Sequence, residues 1–267
     1  MPLNRIVLGV QYDGTPWEGW QTQLNGNTVQ DRLEAALQTF MCVPVKTACA
    51  GRTDTGVHAL EQVVHFDTEL DRAPSSWVRG VNAFLPPSIA LRWSCTVAPD
   101  AEPAFHARFS ARSRTYQYVL YNNPIRSPIL AGRVGWVFRP LDIDRMREAA
   151  ACLIGTHDFS AFRSAACQAK SPIKTMHSIR IERRADLIVF TLHANAFLHH
   201  MVRNIVGSLI STGNGKQTAA WLKQVLEDRQ RHAAAPTFMP DGLYLARIDY
   251  DPKWRLPQED VIALPWA

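Results

Sequence analysis

Apolar and polar residues alternate from Asn4 to Tyr12 and the run stops at Asp13-Gly14, which predicts a strand followed by a turn. Thr28-Val29-Gln30-Asp31 then sets a hydroxyl cap three residues ahead of an acid. Val29, Leu33, Leu37 and Phe40 recur at helical spacing, so a capped amphipathic helix is predicted there. Residues 45–49 and 62–66 read as strands, joined by the loop Ala50-Gly51-Arg52-Thr53-Asp54-Thr55-Gly56-Val57-His58. Pro74 opens a second helix reaching to about residue 84, and residues 89–96 supply a fourth strand. The order β-α-β-β-α-β is that of the split βαβ, or ferredoxin-like, motif, and Asp54 lies in its middle β-β connection.

The second half repeats this vocabulary less regularly. Residues 113–121 alternate strongly, 142–153 are helical, and 179–184 with 187–194 form a hairpin. A long helix over 197–211, another over 218–227 and a closing strand over 242–250 complete the reading. It describes an α+β chain of two ferredoxin-like (split βαβ) halves. They form a largely antiparallel mixed sheet with helices packed on one face and an active-site cleft between the halves. The N-terminal half covers residues 1–102 and carries the Asp54 loop, the C-terminal half covers 103–250, and 251–267 are a tail. The boundary is expected within residues 99–103, and no low-complexity segment or short repeat interrupts the pattern.

At 267 residues the chain is long enough for one large domain or two modest ones. Its 46% hydrophobic and 20% charged residues describe an ordinary globular composition. No apolar run has transmembrane length, and the chain opens on Arg5 and a strand rather than on a signal peptide. The five cysteines (Cys42, Cys49, Cys95, Cys152, Cys167) are odd in number, scattered and without a CxxC pair. That argues against a disulfide framework or structural zinc and fits a reducing cytoplasm. A formal net charge of +5 favours polyanionic partners.

Candidate chemistry gathers at a few positions. Asp54 is a lone carboxylate in a glycine-flanked loop between strands, with Arg52 two residues before it. Asp and Thr also cap turns, so the loop alone fits a structural role equally well. On the helix over 197–211, apolar side chains cover an arc of roughly 180° at about 100° per residue, and Arg203 falls just beyond one edge. A guanidinium held there, partly out of water, is matched by a carboxylate or phosphate, the alternative being a side chain that snorkels to solvent. Tyr116 and Tyr118 alternate on one strand face with Arg112 and Arg114, an arrangement able to stack a splayed-out base, although aromatic pairs on strands are commonly core. Arg108, Arg126, Arg133, Arg139, Arg163, Lys170 and Lys174 extend the candidate phosphate-binding face.

Other chemistries find less support. His199 and His200 are adjacent and point apart on a helix, and His58, His65 and His106 lack metal-ligand spacing. No P-loop, dinucleotide fingerprint or nucleophile elbow is present. Asp54-Thr55-Gly56 spells the triplet of aspartic proteases, but the triplet occurs once, and Arg52 would oppose a proton shared between two carboxylates.

These residues, taken together, resemble the tRNA pseudouridine synthase A family along almost the whole chain. The matching strings begin with Tyr12-Asp13-Gly14, Gly19-Trp20-Gln21 and Thr28-Val29-Gln30 and continue through the Asp54 loop and Gln62-Val63-Val64-His65-Phe66. They resume at Gly80-Val81-Asn82-Ala83, Phe105-His106-Ala107-Arg108-Phe109 and Arg114-x-Tyr116-x-Tyr118. They end with Asn195-Ala196-Phe197, the run from His200 to Gly207, and Gly242-Leu243-Tyr244-Leu245. The resemblance implies an isomerase that converts uridine to pseudouridine at positions 38, 39 and 40 in the anticodon stem-loop of tRNA. It further implies a cytoplasmic homodimer with no metal, no organic cofactor and no membrane association. By position, it makes Asp54 the catalytic aspartate and Arg52 its loop companion. Tyr116 contacts the target base, Arg203 pairs with the aspartate and Leu243 packs in the pocket. Thr55 departs from the alanine expected in many relatives, and residues after 250 carry no family signal.

Overall fold

The structure is a computed structural model and describes residues 3–97 and 103–257. Among these residues the chain is α+β, with ten strands of a mixed sheet and five α-helices. Contacts divide it into two units, one running to Arg112 and resuming at Leu245, the other spanning Ser113–Tyr244. Of the expected boundary stretch, residues 99–102 lie outside the described residues, as do 258–267 of the tail.

The first unit contains β1 (Asn4–Tyr12), α1 (Val29–Met41), β2 (Ala48–Cys49), β3 (His58–Thr68), α2 (Pro74–Asn82) and β4 (Ile89–Val97). β1 pairs antiparallel with both β3 and β4, and β2 pairs with β3, which gives the order β4-β1-β3-β2 of a split βαβ unit. α1 starts where the sequence places it: Asp31 N–H donates to the Thr28 hydroxyl at 3.2 Å, and that hydroxyl donates to the Asp31 carboxylate at 2.5 Å. Its Leu33 and Leu37 are fully buried, as are Val7, Leu8 and Val10 of β1. α2 closes onto β4 through Asn82, whose amide donates to Leu91 O at 2.9 Å and accepts from Leu91 N–H at 2.7 Å. Phe40 and Phe66 both meet the Trp77 ring edge-on at 5.5 Å, tying α1, α2 and β3 into one core.

The second unit contains β5 (Ala111–Asn122, from Ser113 onward), β6 (Gly135–Val137), α3 (Ile143–Ala150), β7 (Gly155–Asp158), β8 (Ile173–Arg184), β9 (Leu187–Ala194), α4 (Met201–Gly213) and α5 (Ala219–Asp228). β9 lies antiparallel between β5 and β8, β7 flanks β8, and β6 runs parallel to β5. The last strand, β10 (Leu243–Tyr250), begins here, where Val119 N–H donates to Gly242 O at 2.8 Å. The sequence β5-α3-β8-β9-α4-β10 thus repeats the β-α-β-β-α-β order of the first unit. α4 buries Ile205, Val206 and Leu209 completely, and α3 packs against α4 and β8.

Several elements differ from the pattern read in the sequence, among them β8, which starts at Ile173 rather than at 179. α4 begins at Met201 rather than at 197, because His200 takes a left-handed conformation (φ 65°) and Met201 N–H closes a turn on Leu198 O. β3 begins at His58, four residues ahead of its expected start, because Ala59 pairs with Tyr12 across the β1–β3 ladder. β6 and β7 are three and four residues long, too short to leave a periodic signal.

Removing the α1 cap isolates its share of stability. Thr28→Ala is expected to cost about 1 kcal/mol, read as a lower urea midpoint with an unchanged slope.

Candidate active site

The loop that joins β2 to β3 is fixed by the backbone of residues 12–20. Trp20 N–H donates to Thr53 O at 3.0 Å, Gly56 N–H to Trp17 O at 3.4 Å, and Val57 N–H closes a turn on Asp54 O at 3.1 Å. A β-carbon on Gly14 would stand 2.0 Å from Val57 O, and one on Gly19 (φ 85°) 2.8 Å from Thr53 O. Only glycine permits this approach. Side chains complete the clamp. The Tyr12 hydroxyl bonds the Thr53 hydroxyl at 2.8 Å, and Gln62 grips the Gly51 peptide, donating to its carbonyl at 2.5 Å and accepting from its N–H at 3.4 Å. Gly14 N–H donates to Nδ1 of the buried His58 at 3.0 Å. On this rigid turn Asp54 is half-buried and Arg52 is exposed. Both Arg52 and Arg108 act electrostatically on Cys49, whose thiol burial pushes up to about 11, so it is no nucleophile near neutral pH.

The remaining sequence-predicted site residues belong to the second unit. Arg203 is half-buried on α4, where its Nε donates to Phe238 O at 2.8 Å while its own carbonyl accepts from Phe238 N–H at 3.3 Å. Its neighbour Asn204 is fully buried, donating to Phe162 O at 2.7 Å and accepting from Arg231 at 3.0 Å and the Thr237 hydroxyl at 2.7 Å. That network locks the helix face from which Arg203 projects. Tyr116 is half-buried with its ring edge-on to Phe197 at 5.0 Å. Leu243 is buried at the start of β10, just after Gly242, whose β-carbon would lie 2.3 Å from Val119 O.

Two expectations change here. Tyr118 cannot stack a base: it is fully buried, packed on Phe238, and its hydroxyl donates to Met239 O at 3.0 Å. His199 and His200 do not point apart on a helix. They precede α4, and the left-handed backbone at His200 brings their rings to 4.0 Å. Several candidate phosphate-binding cations are also engaged within the fold. Arg163 donates to Cys167 O and Ala169 O, Lys174 to Ser171 O and Ile173 O, and Arg112 to Asp251.

Sequence reasoning read the glycines flanking Asp54 as allowing close backbone approach but gave no role to Tyr12, Gln62, Gly14 or Gly19, although each lies in a motif it singled out. Their function is to hold backbone, which leaves no signal in residue type alone. It likewise set His65 and His106 aside for want of ligand spacing, yet their rings meet at 4.7 Å. His65 Nδ1 accepts from Ala107 N–H at 3.2 Å, and burial first, then His106 and Arg5, push its pKa down to about 4.

The α+β chain thus repeats the split βαβ order twice and carries the carboxylate of Asp54 on a clamped loop. The sequence pattern of the family described as tRNA pseudouridine synthase matches residues 9–110 and 149–251, and the chain belongs to that family, whose members are isomerases. Among curated relatives it is similar to tRNA pseudouridine synthase A of Janthinobacterium sp. strain Marseille, 72% identical over 99% of this chain and 98% of that one. It shares the same identity with the like-named protein of Herminiimonas arsenicoxydans, over 99% of this chain and 96% of that one. With that of Paraburkholderia phymatum it is 58% identical, over 99% and 98%. Among solved structures, an archaeal box H/ACA sRNP Nop10-Cbf5 complex aligns with a TM-score of 0.36 at 12% identity, covering 86% of this chain and 60% of that one. At that level the likeness bears on neither fold nor chemistry.

His65 makes stability pH-dependent. Its folded pKa of about 4 lies below the 6.5 of an unfolded histidine, so between those values the unfolded chain binds the extra proton. The contribution is complete above pH 6.5 and is lost as pH falls toward 4, by about 3 kcal/mol at most. Urea unfolding at pH 7 and pH 4.5 is expected to show a smaller difference for His65→Gln than for the parent.

Proposed function

We propose that the chain isomerises uridine to pseudouridine at positions 38, 39 and 40 in the anticodon stem-loop of tRNAs, with Asp54 as the catalytic carboxylate. The observation that carries the reading is the clamp. Asp54, half-buried, stands on a turn whose backbone is fixed by Trp17 and Trp20 and whose hydroxyl neighbour is fixed by Tyr12. A reacting group is preorganised in this way when its position matters more than its mobility.

The reaction breaks the C1′–N1 bond of uridine, turns the uracil and joins C1′ to C5. N1 gains a proton, C5 loses one, and no electrons enter or leave. A single carboxylate suffices, either by attacking C1′ or by taking a C2′ proton to leave a glycal. Neither route calls for a metal or an organic cofactor. Arg203 pairs with the carboxylate, keeps it ionised and aims it, and Arg52 is its companion on the loop. Tyr116 holds the base once it has left its stack, and Leu243 closes the pocket. The +5 charge supports association with a polyanion. The enzyme acts in the cytoplasm as a homodimer.

The test is tritium release from tRNA labelled at uridine C5, with Asp54→Ala beside the parent at equal concentration. Release by the parent is expected to fall to background in the variant, while tRNA retention on a filter stays within about threefold. Retention without release by either protein would make this an RNA-binding protein instead and defeat the assignment.

A further inference from the structure

Phe109 is a large aromatic side chain displayed to water at 77% exposure, on a loop that is otherwise tightly anchored. Phe105, fully buried, plugs that loop between Tyr250 and Trp254 at 5.3 and 5.2 Å. Arg5 donates to Phe105 O at 2.5 Å and the Tyr250 hydroxyl to Ala107 O at 2.7 Å. His106 and Ser110 bond each other twice, N–H to hydroxyl at 2.9 Å and N–H to carbonyl at 2.8 Å. A loop held at this many points does not leave a phenyl ring outside for want of order.

The ring also has a shaped surround. It lies against the His106 imidazole at 4.3 Å with 35° between planes, making a two-ring step. His106 Nδ1 accepts from the N–H groups of Arg108 at 3.1 Å and Phe109 at 3.4 Å, so the ring proton sits on Nε2 as a donor. Burial and Arg5 lower the His106 pKa, which keeps the imidazole neutral at pH 7. The Arg108 guanidinium stands 5.8 Å from the Phe109 centroid and shares the neighbourhood of Cys49 with Arg52, two residues before Asp54. Leu24 and Ile129 are also exposed but aliphatic, and the exposed Phe138, beside Trp136 at 6.4 Å and Arg139 at 5.5 Å, is less exposed and lies against its neighbouring ring at a longer distance.

We propose that Phe109, His106 and Arg108 form a second nucleotide subsite, which stacks an unpaired base of the RNA beside the reacting position and holds its phosphate. The inference rests on the reading of the chain as an enzyme acting on RNA and deepens it. An open aromatic face with a neutral ring donor and a guanidinium beside it matches a base with its phosphate, since every base offers a π-face and every nucleotide an anion. The subsite adds binding and register, not chemistry.

The experiment compares the parent, Phe109→Ala and Phe109→Trp in tritium release from C5-labelled tRNA and in tryptophan emission on adding tRNA. Phe109→Ala is expected to raise KM about tenfold with kcat unchanged. Phe109→Trp is expected to restore KM and to show tRNA-dependent quenching beyond the parent's. An unchanged KM in Phe109→Ala overturns the subsite, and a shifted sedimentation profile alongside it would make the patch an inter-subunit contact. Should the parent release no tritium, the enzymatic reading fails by itself. The quenching of Phe109→Trp then decides the subsite: its presence upholds base stacking and its absence overturns it.

Discussion

Residues 14–20 approach the Asp54 loop closely enough to exclude a β-carbon at Gly14 and at Gly19, and the geometry of the candidate site depends on that contact. Backbone groups make the principal bonds, so the loop's path is set by peptide planes rather than by side chains free to change rotamer. The gain is rigidity where a carboxylate has to meet one atom of a substrate. The cost is intolerance, because neither strand of the contact can yield without moving Thr53 or Val57 and Asp54 with them.

The second unit solves the corresponding problem with buried polarity. Arg203 cannot be positioned by apolar packing alone, since its half-buried side chain ends in a charged group. Asn204, one residue on, is buried and saturated by Phe162, Arg231 and Thr237. The stretch that supplies Thr237 also supplies Phe238, which bonds Arg203 at both its side chain and its carbonyl. One irregular segment thus braces the start of α4 from two sides.

Periodicity found α1, α2, α5, β1 and β4 to within a residue or two because each carries an uninterrupted apolar stripe or a hydroxyl cap. It misplaced the start of α4 because the apolar pattern runs on through Phe197 and Leu198, although the chain there is a turn. It missed β6 and β7 because three or four residues complete no period. At the site, Asp54 was legible as a carboxylate in a glycine-flanked loop. Tyr116 and Tyr118 looked equivalent, and only packing separates a half-buried ring from a fully buried one. The clamp was the least legible part, since its bonds join main-chain atoms some thirty-five residues apart.

The first unit takes its β-strand from Leu245 onward, after the whole of the second unit has passed. β10 pairs with β3, and on a ribosome the chain emerges from its N-terminus, so β1 to β4 wait through more than half of synthesis with the flank of β3 covered only by the two residues of β2. The rest of that flank is an unpaired strand edge of the kind that recruits other chains. The shortness of β2 and the charges of Glu61 and Asp67 along β3 are what a nascent polypeptide has to protect itself until its last strand arrives.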